Sequence, residues 1–227
     1  MEDAPELIRE HLKRHQLCHG VGDEETMSSI VAINLAINGE RTFSIPDCMS
    51  LAMGRWIIYI QEAIPIDILN GDGWRNLLPL AAVTGRNHEK EIALVAFDWM
   101  WDVVIPQLQG LADCRGFGDE WRAMCSYRTA AAAYEAASSA DRAAKAYVDV
   151  TAAYGDDDSD AAAAAARAVA YAAARAVAYA SPRAYAARAA DAARAASAAN
   201  AANAASADFW RNVDPTKALR KMIEVTQ

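Results

Sequence analysis

The sequence lacks the features that mark several large classes of protein. It has no run of about 18 apolar residues, the length that a membrane-spanning helix needs. Its N-terminal segment is acidic and contains no apolar core of a signal peptide. Its four cysteines form no Cys-x-x-Cys pair, and a chain of 227 residues does not need disulfides to fold. We therefore expect a soluble cytoplasmic protein with reduced thiols and no contact with a membrane.

Strand patterns and nucleotide-binding motifs are also missing. No segment alternates apolar and polar residues over the length of a strand, and no phosphate-binding loop is evident. What the sequence does contain is alanine, the best helix former, which makes up most of residues 161–207. The sequence predicts an all-α fold: a bundle of about nine or ten helices with long alanine-rich helices near its C-terminus, and no cofactor.

The distribution of bulky side chains and of net charge differs before and after residue 128. Five of the six Trp precede residue 129. Residues 1–128 carry 19 acidic and 11 basic residues, so the whole net charge of −8 lies there. We expect an acidic, Trp-rich helical region at 1–128 and an alanine-rich region at 129–227, packed together as one continuous domain. The acidic half serves solubility or favours a basic protein partner, and it makes binding to nucleic acid less favourable.

Capping and turn residues predict where the helices begin and end. Asp23, Asp47 and Asp160 are potential N-caps, Ser138-Ser139 indicates a break, and Ser181-Pro182 is a start signal. Residues 110–118 are expected to form a loop. The most apolar segment, 88–108, is expected to be the central core helix, covered on both sides. The predicted helices cover residues 6–18, 23–37, 47–63, 74–83, 88–108, 119–137, 139–154, 160–180, 182–207 and 215–225.

Short motifs within residues 35–108 suggest a relationship. They are Ala-Ile-Asn-Gly-Glu at 36–40, Pro-Asp-Cys-Met at 46–49, Leu-Leu-Pro-Leu at 77–80 with Thr84-Gly85 after it, and Ile105-Pro106. This order, followed by long alanine helices, resembles alanine-rich bacterial and phage-encoded proteins that include immunity proteins. The resemblance implies an all-helical inhibitor of a toxin or of a defence system, and it supplies no catalytic residues.

A cluster of potential metal ligands lies near the N-terminus. His11, His15, Cys18 and His19 are spaced so that three of them would share one face of a helix. Imidazole and thiolate groups one turn apart can bind zinc. The alternative is a polar helix end, where His sits well against the helix dipole. No second cluster of ligands is evident, so we expect no metal.

Asp98 and Asp102 are like charges one turn apart in the most apolar segment, together with Glu91 on one narrow stripe. They could act as a general acid and base in an enzyme of unrecognised class. Alternatively they are structural, and either face water or meet an arginine such as Arg55 or Arg122. No nucleophile motif accompanies them, so we favour the structural interpretation and predict no catalytic residues.

A stripe of arginine and tyrosine runs along one alanine helix. Arg167, Tyr171, Arg175 and Tyr179 step by four residues, with Val169 on the other side. Tyrosine and arginine are enriched where proteins bind partners, so the stripe predicts an interface. The alternatives are a solvated face that shields alanine, or a surface for nucleic acid.

We therefore expect a non-enzymatic inhibitor that acts by protein–protein binding in the cytoplasm, as an immunity-type or phage-encoded anti-CRISPR-like protein. Its partner would be a basic toxin or a defence nuclease complex, because opposite charge gives fast and specific association. Self-association as a homodimer would cover the alanine helices. The alternative functions are nucleic-acid binding through the Arg and Tyr stripe, and an enzyme using Asp98 and Asp102.

Overall fold

A computed structural model describes residues 3–151, 160–178, 182–202 and 206–227. It is 72% helical with two short strands, which confirms the predicted all-α class. Strands β1 (Gln16–Leu17) and β2 (Thr26–Met27) pair in parallel. None of the described helices is long and apolar enough to cross a membrane. The helices are α1 (Ala4–Arg14), α2 (Ser29–Asn38), α3 (Leu51–Gln61), α4 (Ile66–Leu69), α5 (Asp72–Arg75), α6 (Leu78–Ala81), α7 (Glu89–Trp99), α8 (Gln109–Cys114), α9 (Gly118–Tyr127), α10 (Ala130–Thr151), α11 (Asp160–Ala178), α12 (Pro182–Ala202), α13 (Ser206–Val213) and α14 (Pro215–Glu224).

The N-terminal segment departs from the predicted pair of helices. α1 ends at Arg14, because His15 is extended and the chain then enters β1. The prediction that a helix begins at Asp23 is wrong. The Asp23 carboxylate accepts hydrogen bonds from the backbone N–H groups of Glu25 and Thr26, at 3.0 and 2.8 Å, and so fixes a turn. α2 begins only after this turn and β2.

The apolar segment 88–108 does not form one continuous α-helix. α7 continues as a π turn (Met100–Val104) and a 3₁₀ turn (Ile105–Leu108) before α8 begins. Pro106 has no N–H to donate to the carbonyl of residue 102, so the regular hydrogen-bond ladder cannot pass this point. The predicted loop at 110–118 is wrong for residues 110–114, which belong to α8.

The break in the alanine region also lies elsewhere than predicted. α10 runs through Ser138 and Ser139 without interruption. The Ser139 hydroxyl donates to the Glu120 carboxylate at 3.2 Å, so it joins α10 to α9 and does not cap a new helix. The chain bends instead at Arg128, which has a φ of 51°. Of the Ser181-Pro182 start signal, Pro182 is the first residue of α12, and Ser181 lies outside the described residues.

The centre of the fold is an alanine helix. α12 packs on α3, α7 and α11, and α11 packs in turn on α10. The side of α12 towards these helices consists of buried alanines, including Ala186, Ala189, Ala193 and Ala196. Methyl groups let helix axes approach closely, so three neighbours can surround one helix. The expectation that the 88–108 helix would be covered on both sides is wrong, since Leu94 and Asp98 of α7 are exposed.

Tryptophans make a second, bulkier part of the core. The ring of Trp56 on α3 lies 6.0 Å from that of Trp74 on α5 and 5.6 Å from that of Trp99 on α7, the latter edge-on. Such edge-to-face pairs add to the stabilisation from area burial. Trp99 is thereby held in place at the surface end of this cluster, where a cleft opens.

Candidate functional site

The predicted arginine and tyrosine stripe lies on the outer side of α11. Arg167, Tyr171 and Arg175 are exposed, whereas Val169 is fully buried on the opposite side. Arg167 reaches across to α10, where its guanidinium contacts the Asp141 carboxylate at 2.6 Å. The fourth member, Tyr179, lies outside the described residues.

Tyr134 on α10 adjoins this stripe, and the sequence did not single it out. Its ring lies edge-on to that of Tyr171, with the centroids 6.1 Å apart. The two side chains are 44% and 41% exposed, so the pair presents a stiff aromatic surface to solvent. The only signal in the sequence was the periodicity of tyrosine in the alanine region, because the pairing depends on how α10 and α11 align.

A groove of about 470 Å³ runs beside the stripe, between α11 and α12. Arg175 borders it on one side, and Arg188 and Arg194 border it on the other. Arg188 pairs with Asp191 at 3.0 Å. Within the part of the chain that is described, Arg175 and Arg194 have no carboxylate within ion-pair distance. The groove therefore carries an excess of positive charge, and two guanidinium groups remain available to an anionic group.

We refer to this surface as the Arg–Tyr face. It consists of residues from three helices: Tyr134, Arg167, Tyr171, Arg175, Arg188 and Arg194.

A second concave site, which we call the charged cleft, joins Asp98 and Asp102. It has a volume of about 420 Å³ and lies between α7 with the following π turn on one side and α13 with α14 on the other. Both aspartates are exposed at its wall rather than buried. Asp102 forms an ion pair with Arg128, a residue that the sequence did not connect with it. Lys217 and Lys221 belong to the opposite wall.

The floor of the charged cleft is fixed by a buried hydrogen bond. The Trp99 indole N–H donates to the carbonyl of Val213 at 2.6 Å and so ties α7 to the end of α13. At one end, the Asn212 amide donates to the Gln107 amide oxygen at 3.2 Å. The Trp99 bond joins the two walls of the cleft, and the Asn212 bond joins α13 to the 3₁₀ turn that follows the π turn.

Two residues with unusual backbone geometry adjoin the charged cleft. Arg128 and Asp214 are the non-glycine residues with positive φ in the described chain, at 51° and 39°. Asp214 lines the cleft and caps α14, since its carboxylate accepts from the Lys217 backbone N–H at 3.0 Å. Such conformations cost about 1–3 kcal/mol each and persist only where surrounding contacts fix them.

The charged cleft is lined mainly by charged and apolar side chains. Its lining includes Asp98, Asp102, Asp214, Lys217 and Lys221 but no Ser, Thr, Cys or His. Elsewhere, burial raises the pKa of the Cys48 and Cys125 thiols, which keeps them in the less reactive protonated form. Asp98 and Asp102 can attract a cation, and Asp102 is already paired with Arg128.

The four N-terminal metal-ligand candidates do not converge. α1 ends at Arg14, so His15, Cys18 and His19 all lie beyond the helix that carries His11. The His11 and His15 rings stack with centroids 4.1 Å apart, and one nitrogen of His15 contacts the His11 carbonyl at 2.9 Å. His19 instead contacts the Ile64 carbonyl at 2.9 Å. Within the described ranges, no three His, Cys, Asp or Glu side chains are placed to hold a metal ion.

Comparison with known proteins gave no relative. No protein family, no curated protein and no solved structure matches the chain. The resemblance of residues 35–108 to immunity proteins therefore stays an expectation from short motifs. The case for a function rests on the Arg–Tyr face and the charged cleft.

Proposed function

We propose that this protein is a non-enzymatic inhibitor that binds a protein partner through the Arg–Tyr face. The observation that supports this most directly is the exposed pair Tyr134 and Tyr171 beside Arg175 and Arg194, whose guanidinium groups have no ion-pair partner among the described residues. The resemblance to immunity proteins gives the biological class: a cytoplasmic protein, encoded by a bacterium or a phage, that neutralises a toxin or a defence complex.

The composition of the face fits what is known of binding hot spots. Tyrosine and arginine are the residues that most often dominate binding energy, because they bury a large area with few rotatable bonds or make several directed hydrogen bonds. Tyr171 is in contact with Tyr134 already, so little side-chain freedom remains to be lost on binding. The face thus has anchors that are both exposed and pre-arranged.

The charge of the face indicates the chemistry of the partner. Arg175 and Arg194 favour an acidic patch on the partner, whose carboxylates could accept bidentate hydrogen bonds from them. This differs from the basic partner expected from the charge of residues 1–128. The acidic half would then stay solvated, or would contact a basic part of the same partner.

Binding of nucleic acid is the second candidate, and the same groove supports it. Guanidinium groups bind phosphate as well as carboxylate, and the Tyr171 ring could stack on a base. Against it stands the net charge of −8, which repels a polyanion at long range. Retardation of DNA or RNA that weakens steeply with salt and requires Arg175 and Arg194 would favour this candidate.

The test of the proposal is partner capture with matched variants. The full-length protein is immobilised and exposed to lysate of its native host, and retained proteins are identified by mass spectrometry. Tyr134→Ala with Tyr171→Ala, and separately Arg175→Gln with Arg194→Gln, should weaken binding of the purified partner at least about tenfold, since hot-spot truncations cost more than 1.4 kcal/mol. The purified partner should also lose its own activity stoichiometrically when titrated with the protein.

The controls are an exposed aromatic residue and an exposed arginine on the N-terminal half. Phe43→Ala and Arg55→Gln should bind the partner like the parent, because Phe43 is 42% exposed and Arg55 is exposed on α3. If the face variants bind as tightly as these controls, the Arg–Tyr face is only solvated surface. If sedimentation shows instead that the face joins two copies of the chain, it is a dimer interface and not the inhibitory surface.

A further inference from the structure

We propose that the charged cleft binds a small zwitterion, namely an α-amino acid with an apolar side chain. The ligand would lie between the acidic wall of α7 and the basic wall of α14. This inference goes beyond the proposed inhibition. The charged cleft is formed by α7, α13 and α14, whereas the Arg–Tyr face belongs to α10, α11 and α12.

The first step is the separation of charge across the cleft. Asp98 and Asp102 lie on the wall made by α7 and the π turn. The wall made by α13 and α14 is basic on balance, since it carries Arg211, Lys217 and Lys221 against the single carboxylate of Asp214. A ligand that is only an anion would be repelled by the two aspartates, and a ligand that is only a cation would be repelled by the two lysines. A molecule with both charges complements both walls, so the distribution favours a zwitterion.

The second step is that Asp98, Lys217 and Lys221 do not neutralise each other, whereas Asp102 is paired with Arg128. Across the described ranges, Asp98, Lys217 and Lys221 form no ion pair within 4.0 Å, although they line one cleft. Lys217 and Lys221 are moreover like charges one turn apart on α14, which costs a few tenths of a kcal/mol in an isolated helix. A ligand carboxylate between the two ammonium groups would offset this repulsion.

The third step is the shape of the cleft. The bond between the Trp99 indole and the Val213 carbonyl holds the two walls together at the floor, so they cannot spread or close freely. Half-buried Val95 and Val103 also line the acidic wall, one before and one after the two aspartates in the chain. They offer an apolar strip for a ligand side chain. A volume of about 420 Å³ lies within the range of small-molecule sites, about 300–1,000 Å³.

The experiment is a titration of the isolated full-length protein, followed by the NMR signal of the Trp99 indole N–H. This proton lies at the floor of the cleft, and the Trp99→Phe variant assigns its signal among the six Trp. Three probes with the same side chain and different charge are compared: L-leucine, which is a zwitterion, N-acetyl-leucine, which is an anion, and leucine amide, which is a cation. Leucine should shift the signal and bind about two- to fivefold more tightly than either other probe, the range expected for one exposed ion pair.

Charge-removing variants test both walls separately. Asp98→Asn and Lys217→Gln should each weaken leucine binding by about two- to fivefold. Glu91→Gln on α7 and Arg220→Gln on α14 are the matched controls, because both residues are exposed on the same helices and neither lines the cleft. The controls should bind leucine like the parent.

Several results would overturn the inference. One is the absence of any leucine-dependent shift of the Trp99 signal. Another is equal binding of the three probes, which would indicate apolar contact without recognition of charge. A third is equal loss of binding in the control variants and in Asp98→Asn or Lys217→Gln. The Tyr134→Ala and Tyr171→Ala variant should bind leucine normally, so failure of this inference and failure of the proposed inhibition are distinguishable.

Discussion

Replacing one buried alanine of α12 by leucine tests the central feature of the fold. Ala189 is fully buried in a helix that packs on α3, α7 and α11. If the methyl group is there because the helix axes are close, a larger side chain has no space and must displace a neighbouring helix. Leucine is nearly as good a helix former as alanine, so the substitution changes packing with little effect on helix propensity.

The expected magnitude follows from the burial of the site. Extra methylene groups in a well-packed core cost about 1–3 kcal/mol. For a chain of about this size, 1 kcal/mol shifts Tm by about 2–4 °C, so Ala189→Leu should lower Tm by about 2–12 °C. Ala198→Leu is the matched control, because Ala198 is an exposed residue of the same helix. Its cost should stay within about 0.5 kcal/mol, which corresponds to less than about 2 °C.

The assay is thermal unfolding followed by circular dichroism, with the helical content of both variants compared with that of the parent at low temperature. Equal Tm values for Ala189→Leu and Ala198→Leu would refute the reasoning, since they would show that the centre of the bundle has room for three more carbon atoms. A large loss of Tm in both variants would refute it as well, because then burial would not distinguish the two positions.

Three further perturbations have defined outcomes. Burial lowers the pKa of His11 below its unfolded value of about 6.5. The contribution of His11 to folding stability is therefore complete above a pH of about 6.5 and is lost as the pH falls. His11→Gln should make the decrease of Tm on acidification smaller. Trp99→Phe leaves the carbonyl of Val213 without its donor and should cost about 1–3 kcal/mol in urea unfolding. The double change Asp98→Asn and Asp102→Asn should cost less than about 1 kcal/mol and leave partner inhibition intact, and loss of a measurable catalytic turnover would contradict the non-enzymatic proposal.

Capping residues and proline in the sequence correctly predicted where some of the helices begin. Pro182 begins α12, and the Asp214 carboxylate caps α14, which begins at residue 215 as predicted. The prediction of a helix start at Asp23 was wrong, since an aspartate can also close a turn by accepting from the next backbone N–H groups. The two outcomes look alike in the sequence, because the same side chain accepts the same kind of hydrogen bond in each.

The candidate sites were predictable only in part. A spacing of four residues was sufficient to place Asp98 and Asp102 on one side of a helix. It could not show the opposite wall, which is supplied by Lys217 and Lys221 more than a hundred residues later in the chain. Tyr134 was missed for a similar reason, since its contact with Tyr171 depends on how α10 aligns with α11. Alanine gives almost no signal for that alignment, because methyl groups fit many registers equally well.

The sequence by itself determined that the chain is helical, because backbone conformation follows from local propensity and capping, and alanine dominates the propensity here. It also determined the Arg and Tyr periodicity on α11, since a helix converts spacing directly into a shared side. Only the tertiary structure decided that an alanine helix, α12, lies at the centre. Small side chains permit the closest approach of helix axes. The resulting stabilisation by close packing arises only when α3, α7 and α11 surround one helix. For the same reason only the tertiary structure created the charged cleft, whose walls come from separate helices held by the bond between Trp99 and Val213.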